Sequence, residues 1–583
     1  MKITAIRPYS GPSNSDGTVD VYDITVDYTN RYTVCGVVVS NSKRISLLDT
    51  NALLSHGATE TLNDAGSVRG QENTQWWLQT MNGLTPTEPR VPHTYLKFVD
   101  SLKASGINVV PKGGQLQVMA LTDKDLDRMA GDRRIVSGDT VRFDKGLKPV
   151  TGGLFDPKLT GGHGGKRWSA IDLHEPLPNP VMEEPIRRLL GLTQKKFEAV
   201  ISGEEKLAEY GSGSSAIKKA LEDINVERDI ILTRAKVGAS RGQKRDDANR
   251  RLDYLKSLQR TGLQPADWIM SKAPVLPPAF RPVSVMGSSG TPLVSDSNYL
   301  YKELLEANDI LKEMKGHVGE DGVGNERLAV YNAFKAVTGL GEPITPKSKE
   351  KKLKGILAGV FGSSPKYGMV QRKLISSTVD NVGRAVISPN PEYDMDTVGL
   401  PEDKAFDVYE KFVVRRLRRA GMPITRALQE VKDRSKIARN MLVEEMDKRP
   451  VFINRAPVLH RFGIMAFRPQ LVKSDTMQIS PLVTKGFGAD FDGDAMQFHV
   501  PSTDEAVKEA YERMMPSKNL ISPADFKSPV HSLSQEYLGG LYRLSKPRES
   551  KRKRTFRSVK DAVAAHARGE IGYDDKVHVL QDR

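Results

Sequence analysis

Three aspartates, Asp490, Asp492 and Asp494, stand at i, i+2 and i+4 in the segment GADFDGDAM. In an extended stretch alternate side chains leave the backbone on the same side, so carboxylates at this spacing can converge on one point. Their mutual repulsion makes that costly without a cation. Gly493 allows the backbone to curl until the oxygens approach a single ion, and hard oxygen ligands suit Mg²⁺. An EF-hand calcium loop starting at Asp490 does not fit, because its sixth and twelfth positions need Gly and Glu and this chain has Ala495 and Pro501. A polar turn with its acids in water is the competing reading. Upstream lies the basic, turn-rich segment RPVFINRAPVLHRFGIMAF, whose Arg455, His460 and Arg461 could set positive charge beside a phosphate. Carboxylate-held Mg²⁺ with arginine alongside is the arrangement phosphoryl transfer calls for.

Such a cluster needs a rigid support. Between 450 and 500 the short runs PVFIN, MQISPLV and AMQFHV alternate with turns and predict a compact β unit. Elsewhere the pattern is mostly helical. Tyr95, Phe98, Val99 and Leu102 follow helical spacing over 91–106 with Gly106 at the expected cap, and the strand QLQVMAL comes next. The stretch 234–262 is basic and helix-prone. Helices at 298–316 and 325–338, joined by GHVGEDGVG, predict an antiparallel helical hairpin. From Ser42 the sequence reads as helical in period, whereas the first 41 residues are strand-like. Basic clusters at Lys349–Lys354, Arg415–Arg419 and Lys551–Arg554 read as solvated faces or phosphate contacts.

The 583 residues carry 87 Lys and Arg against 72 Asp and Glu, a formal charge of +15 that suits a polyanionic partner. At roughly 100 to 200 residues per domain the length implies several domains. The single cysteine, Cys35, excludes an intrachain disulfide and leaves no cysteine cluster for structural zinc. No run of about 18 apolar residues exists to span a bilayer, and no secretory h-region follows Met1, so the expectation is a cytoplasmic protein without a membrane partner.

NRAPVLHR together with ADFDGDAM resembles the active-site region of the β′ subunit of multisubunit DNA-dependent RNA polymerases. The resemblance implies an α+β multidomain chain: a double-psi β-barrel active-site domain, a largely helical clamp and a small all-β piece at the N-terminus. It implies Mg²⁺ held by Asp490, Asp492 and Asp494 as catalytic residues, nucleotide binding by Arg455, and DNA contacts by Arg384 and Arg461. GGLFDPKLTGG and PLPNPVMEEPIR look like the start of β′, VLPPAFRPV and SDSNYLYKELLEANDILK like the clamp, and VDNVGRAVI like a mobile switch segment. LISPADFKSPVHSLSQEYLGGLY looks like sequence beyond the active site. Residues 42–122, from KRISLLDTNALLSHGATETL through VPHTYLKFVDSLKASGINV, look like the C-terminal end of the β subunit. The expected domains are therefore 1–41, an intein piece; 42–122, the β-like tail; 123–340, the β′ clamp with its helical hairpin; and 341–583, switch, barrel and following region.

Departures from that pattern carry their own expectations. The family's four zinc-binding cysteines after the GLF motif are missing, so no structural zinc is expected. Gly488 stands where the family has the Asn that helps read the ribose hydroxyl. Ser377 and Thr378 replace a Lys-Arg pair before V-D, with Arg384 kept, which implies an altered template grip and a viral or otherwise divergent source, in a bacterial or infected-cell cytoplasm. The family's bridge helix and trigger loop are not reached before Arg583.

VYDITVDYTNRYTVCGVVVSN followed by Ser42 resembles the C-terminal half of a split intein. The Asn41 side-chain amide would cyclise and cut after itself, Ser42 would receive the upstream chain as an ester, and Ser40 occupies the helping position. Thr29 and Asn30 replace that family's usual Asp and His, and Cys35 reads as a small buried residue. The partners implied are a DNA template, nascent RNA, NTPs, the remaining β and β′ pieces, an intein N-terminal half carrying the upstream β sequence, and a sigma-like factor as a further candidate. A non-catalytic clamp that only grips nucleic acid, and a protein whose main activity is self-splicing, are the alternatives. The first predicts an incomplete carboxylate trio, and the second leaves everything after Asn41 unexplained.

Overall fold

The computed structural model describes residues 3–8, 22–26, 31–34, 37–40, 42–70, 73–89, 91–112, 115–142, 148–286, 291–319, 322–533, 536–545, 554–572 and 575–580. The chain forms two compact units, one of residues 1–92 with 375–583 and one of residues 93–374. These divisions fall inside the expected segments 42–122 and 341–583. Among the described residues no helix is long and apolar enough to cross a membrane.

The first unit is built on a closed six-stranded barrel: β1 (Val382–Pro389), β2 (Thr397–Pro401), β3 (Val451–Asn454), β4 (Ile464–Val472), β5 (Met477–Ile479) and β6 (Ala495–His499). Around the barrel the order is β1-β5-β2-β4-β3-β6, with β6 closing on β1. The β1/β5 and β2/β4 pairs are parallel and the other four antiparallel. Strands β3, β4, β5 and β6 come from the segment where the β unit was expected, with PVFIN, MQISPLV and AMQFHV giving β3, β5 and β6. The segment VDNVGRAVI, which resembled a switch, contributes Val382–Ile387 to barrel strand β1. Its residues alternate inward and outward, with Gly383, Ala385 and Ile387 buried and Arg384 and Val386 exposed. Val398, Leu400, Ile453, Met465, Phe467, Met477, Ile479, Met496 and Phe498 fill the core with them.

Gly383 lies directly opposite Phe498 across the β1/β6 ladder. A Cβ at this position would overlap the Phe498 ring, so the phenyl group occupies the space the glycine leaves.

The helix Glu402–Arg419 covers the barrel with Phe406, Tyr409, Phe412 and Val413. Part of its basic end turns inward, while Arg419 is exposed. Arg415 and Arg416 both pair with Glu445, which is 1% exposed, and Arg449 joins them at 3.1 Å. Burial pushes the Glu445 carboxyl up, and Arg415, Arg449 and Arg416 more than offset it, holding it below the usual glutamate range.

Residues 42–92 pack on this barrel. Ser42–Ile45 forms a strand antiparallel to Ser377–Asp380, which corrects the helical reading from Ser42; the first helix of this segment is Leu47–His56. Asp64 accepts from the backbone N–H groups of Ser502 and Thr503 and pairs with Arg69 at 2.7 Å, both side chains being fully buried. Arg69 in turn donates to Nδ1 of His499 at the end of β6. Among the first 41 residues the described backbone shows two antiparallel strand pairs, Ile3–Pro8 with Tyr22–Val26 and Arg31–Val34 with Val37–Ser40. Cys35 and Asn41, together with the side chains of Ser40 and Ser42, lie outside the described residues.

The second unit carries the expected helix His93–Ala104, the strand Gln115–Ala120, and the two helical pairs Val226–Ala239 with Gln243–Thr261 and Asp296–Val318 with Gly324–Thr338. Its core is held at one point by Arg281, fully buried from the FRP segment. The guanidinium donates to the Leu154 carbonyl at 2.6 Å and to Asn298 Oδ1 at 2.8 Å, and lies 4.8 Å over the Phe155 ring. Burial without a carboxylate partner lowers it to about 10.

Because the Phe498 ring leaves no room at residue 383, Gly383→Ala should destabilise the first unit by about 1–3 kcal/mol through overpacking. Val386→Ala, on the outward face of the same strand, should cost less. Denaturant unfolding of the two variants makes the comparison.

Candidate metal centre

The short helix Thr484–Phe487 ends at Gly488, whose φ of 63° is left-handed, and the backbone N–H groups of Gly488 and Ala489 close on Lys485 and Thr484. The chain then bends through Ala489–Asp494 and enters β6. This corrects the extended reading in part, since the segment is a turn. Alternation survives within it: Ala489 and Phe491 pack on the core, and Asp490, Asp492 and Asp494 lie toward solvent. Gly493, at φ 122°, supplies the curl. The Asp494 carbonyl accepts from the Ile387 N–H at 2.9 Å, which fixes the end of the turn to β1.

One carboxylate oxygen from each of Asp490, Asp492 and Asp494 lies within 4.8 Å of the others. A hydrogen bond with Asp492, followed by partial desolvation and the charges of Asp492 and Asp494, holds Asp490 above the ordinary carboxylate range, against the lowering effect of Arg455. Three anionic oxygens gathered at this separation, at a cost visible in Asp490, are a donor set that fits a hard divalent cation such as Mg²⁺.

Arg455, the residue after β3, reaches this cluster. Its Nε–H donates to Asp494 Oδ2 at 2.8 Å, with the two side chains 29% and 25% exposed. The other cations singled out from sequence do not join it. Arg461 lies 4.9 Å over the Phe462 ring and donates to the Ser55 carbonyl. His460 is exposed and faces the same ring, and Arg384 is exposed on β1 opposite Gln497. Among the described residues none of these three bonds to the trio.

Sequence reasoning missed His531. It is buried, with neither ring nitrogen hydrogen-bonded, and burial drives it down to about 4. The ring sits against Gly486, where a Cβ would lie 3.0 Å from it. A neutral histidine thus supports the short helix from which the aspartate turn departs, and a single histidine with no periodic context gives no signal of this in sequence.

The left-handed cap also accounts for Gly488 in place of Asn, because these are the two residue types that most readily take that conformation at a helix C-terminus. Gly488→Asn should therefore cost less than about 1 kcal/mol, and Gly488→Val more than about 1–2 kcal/mol. Thermal unfolding midpoints of the two variants check the ordering.

Residues 417–516, which span β3 to β6 and the aspartate turn, match the family model described as RNA polymerase Rpb1, domain 2. The chain is 33% identical over 384 residues to the DNA-directed RNA polymerase subunit beta′ of Nocardioides sp., which covers 64% of this chain and 29% of that protein. It is 31% identical over 408 residues to the beta′ subunit of Listeria grayi, covering 68% and 38% respectively. It is 33% identical over 396 residues to the subunit gamma of Nostoc commune, covering 66% and 63%. The chain thus spans less than two thirds of the length of each of these relatives. Over about two thirds of its own length, and across the barrel and the aspartate turn, it is a β′/Rpb1-like chain of the multisubunit RNA polymerase type.

Proposed function

We propose that this chain supplies the metal-binding active centre of a DNA-directed RNA polymerase. Asp490, Asp492 and Asp494 are the catalytic residues and would hold Mg²⁺, and the barrel that carries them is the family's double-psi β-barrel. The observation that carries the reading is the convergence of the three carboxylates within 4.8 Å on a turn anchored to two barrel strands. Bound Mg²⁺ supplies Lewis-acid stabilisation of the charge that develops in phosphoryl transfer, here attack of an RNA 3′-hydroxyl on the α-phosphate of an NTP. The chain's own part is to hold three ligands in fixed register and to keep Arg455 beside them for nucleotide binding. Exposed Arg384 on β1, with Arg461, is assigned to DNA. A complete trio argues against the non-catalytic clamp. The polymerase would form with the remaining β and β′ pieces in the cytoplasm, on a DNA template, with a sigma-like factor as a further partner.

Asp492→Ala in the assembled enzyme removes one anionic ligand from an exposed position and should lower nucleotide addition by several orders of magnitude while assembly survives. Normal transcription by this variant would end the catalytic assignment.

We further infer that residues 42–122 are a β-subunit tail continuous with β′ sequence, and that residues 1–41 are removed by protein splicing. The order VVVSN–Ser42, with polymerase-like sequence beginning at Ser42, supports this reading. Asn41→Ala should block release of residues 1–41, and Ser42→Ala should permit cutting but prevent ligation upstream. Replacement of the usual Asp and His by Thr29 and Asn30 should slow the reaction, by up to about 10² to 10⁴-fold. Intact-mass spectrometry of the enzyme from its native source decides the matter: a chain that still begins before Ser42, with nothing joined to that residue, rules splicing out.

A further inference from the structure

The guanidinium of Arg455 and a bound cation would draw on the same carboxylate. Both backbones in the Arg455–Asp494 pair are fixed, since the Arg455 N–H donates to Gly463 at 3.2 Å, Asn454 pairs with Gln497 across β3/β6, and the Asp494 carbonyl is held by Ile387. Only the side chains can rearrange. Arg455 donates through Nε alone in this contact, and among the described residues its two terminal nitrogens make no hydrogen bond. It is a cation held by one of its five donors, with the rest of its fork uncommitted.

We propose that Arg455 is a built-in competitor for the metal at Asp494, so that entry of the cation and release of the Arg455 fork are one exchange. This rests on the reading of the trio as a Mg²⁺ site. Without a divalent ion, the arginine charge relieves the repulsion among three carboxylates. With one present, arginine and metal repel each other across a shared ligand, and Arg455 loses part of its hold on Asp494. A displaced guanidinium presents a planar set of donors that matches phosphate oxygens. The metal site is therefore tuned to be weak on its own, and the group that weakens it is the one that becomes available to an anionic substrate as the metal arrives.

The test is Mn²⁺ binding to the full chain, followed by electron paramagnetic resonance. Arg455→Gln should bind Mn²⁺ on the order of tenfold tighter than the unaltered chain, because a unit positive charge a few ångströms from a divalent ion has been removed. Arg455→Met, which keeps an apolar stem, should behave the same way and serves if the Gln variant folds poorly. Arg455→Lys retains the charge and should stay within about threefold. In an Asp494→Asn background Arg455→Gln should have little effect, since the shared ligand is gone. Equal or weaker binding in both neutral variants, with Asp490→Asn still weakening binding, would overturn the exchange and leave the metal site standing. If Asp490→Asn and Asp492→Asn both leave Mn²⁺ binding unchanged, the metal-site reading itself fails and the exchange falls with it.

Discussion

Strand β6 is hydrogen-bonded on both edges, to β1 through Val382–Val386 and to β3 through Phe452–Asn454. A strand pinned from two sides cannot slip by one residue without turning its whole core set outward. The aspartate turn is the direct continuation of that strand, so the ligand positions inherit the barrel's register. Arg455 follows β3 at the point where β3 meets β6, and therefore its approach to Asp494 is fixed by the same ladder.

Buried charge secures the parts around this barrel. Glu445 gathers three arginines, and Asp64 with Arg69 ties the segment before residue 92 to the end of β6. The two carboxylates, Glu445 and Asp64, are each met by several donors, which is the condition under which buried ions are tolerated, and removal of one partner leaves the other as an uncompensated charge. Arg281 in the second unit meets the same requirement with carbonyls and an aromatic face in place of a carboxylate. It joins the two glycine- and proline-rich motifs, GLFDP and FRP, that resembled polymerase sequence, which gives those motifs a physical reason to occur together.

What was legible in the sequence was what is local. The aspartate spacing, the curl at Gly493 and the paired helices at 296–338 are all written within short windows. Strand β1 was not, because its inward face begins with Gly383 and its outward face carries the apolar Val386, which blur the alternation, and its partners β5 and β6 lie far downstream. The strand at Ser42–Ile45 was obscured in the same way, since its partner is Ser377–Asp380. The Arg415–Arg419 cluster looked like exposed charge because nothing near it in sequence announces Glu445. Arg455 could be nominated by type and neighbourhood, but its bond to a residue 39 positions away depends on the barrel register.

The first unit is discontinuous: residues 93–374, 282 positions, separate its early part from the barrel that this part packs against. On a ribosome adding roughly 5–20 residues per second, the helices after Ser46 would wait on the order of 15–55 seconds before the first barrel strand emerges. Through that interval Leu53, Ala58, Val68 and Trp77, all buried against barrel residues in the finished protein, have nothing to cover them. The second unit is complete within its own stretch and can fold during the delay. The unit that carries the aspartate turn is thus the last to form, and its early segment is the place where a chaperone would have most to do.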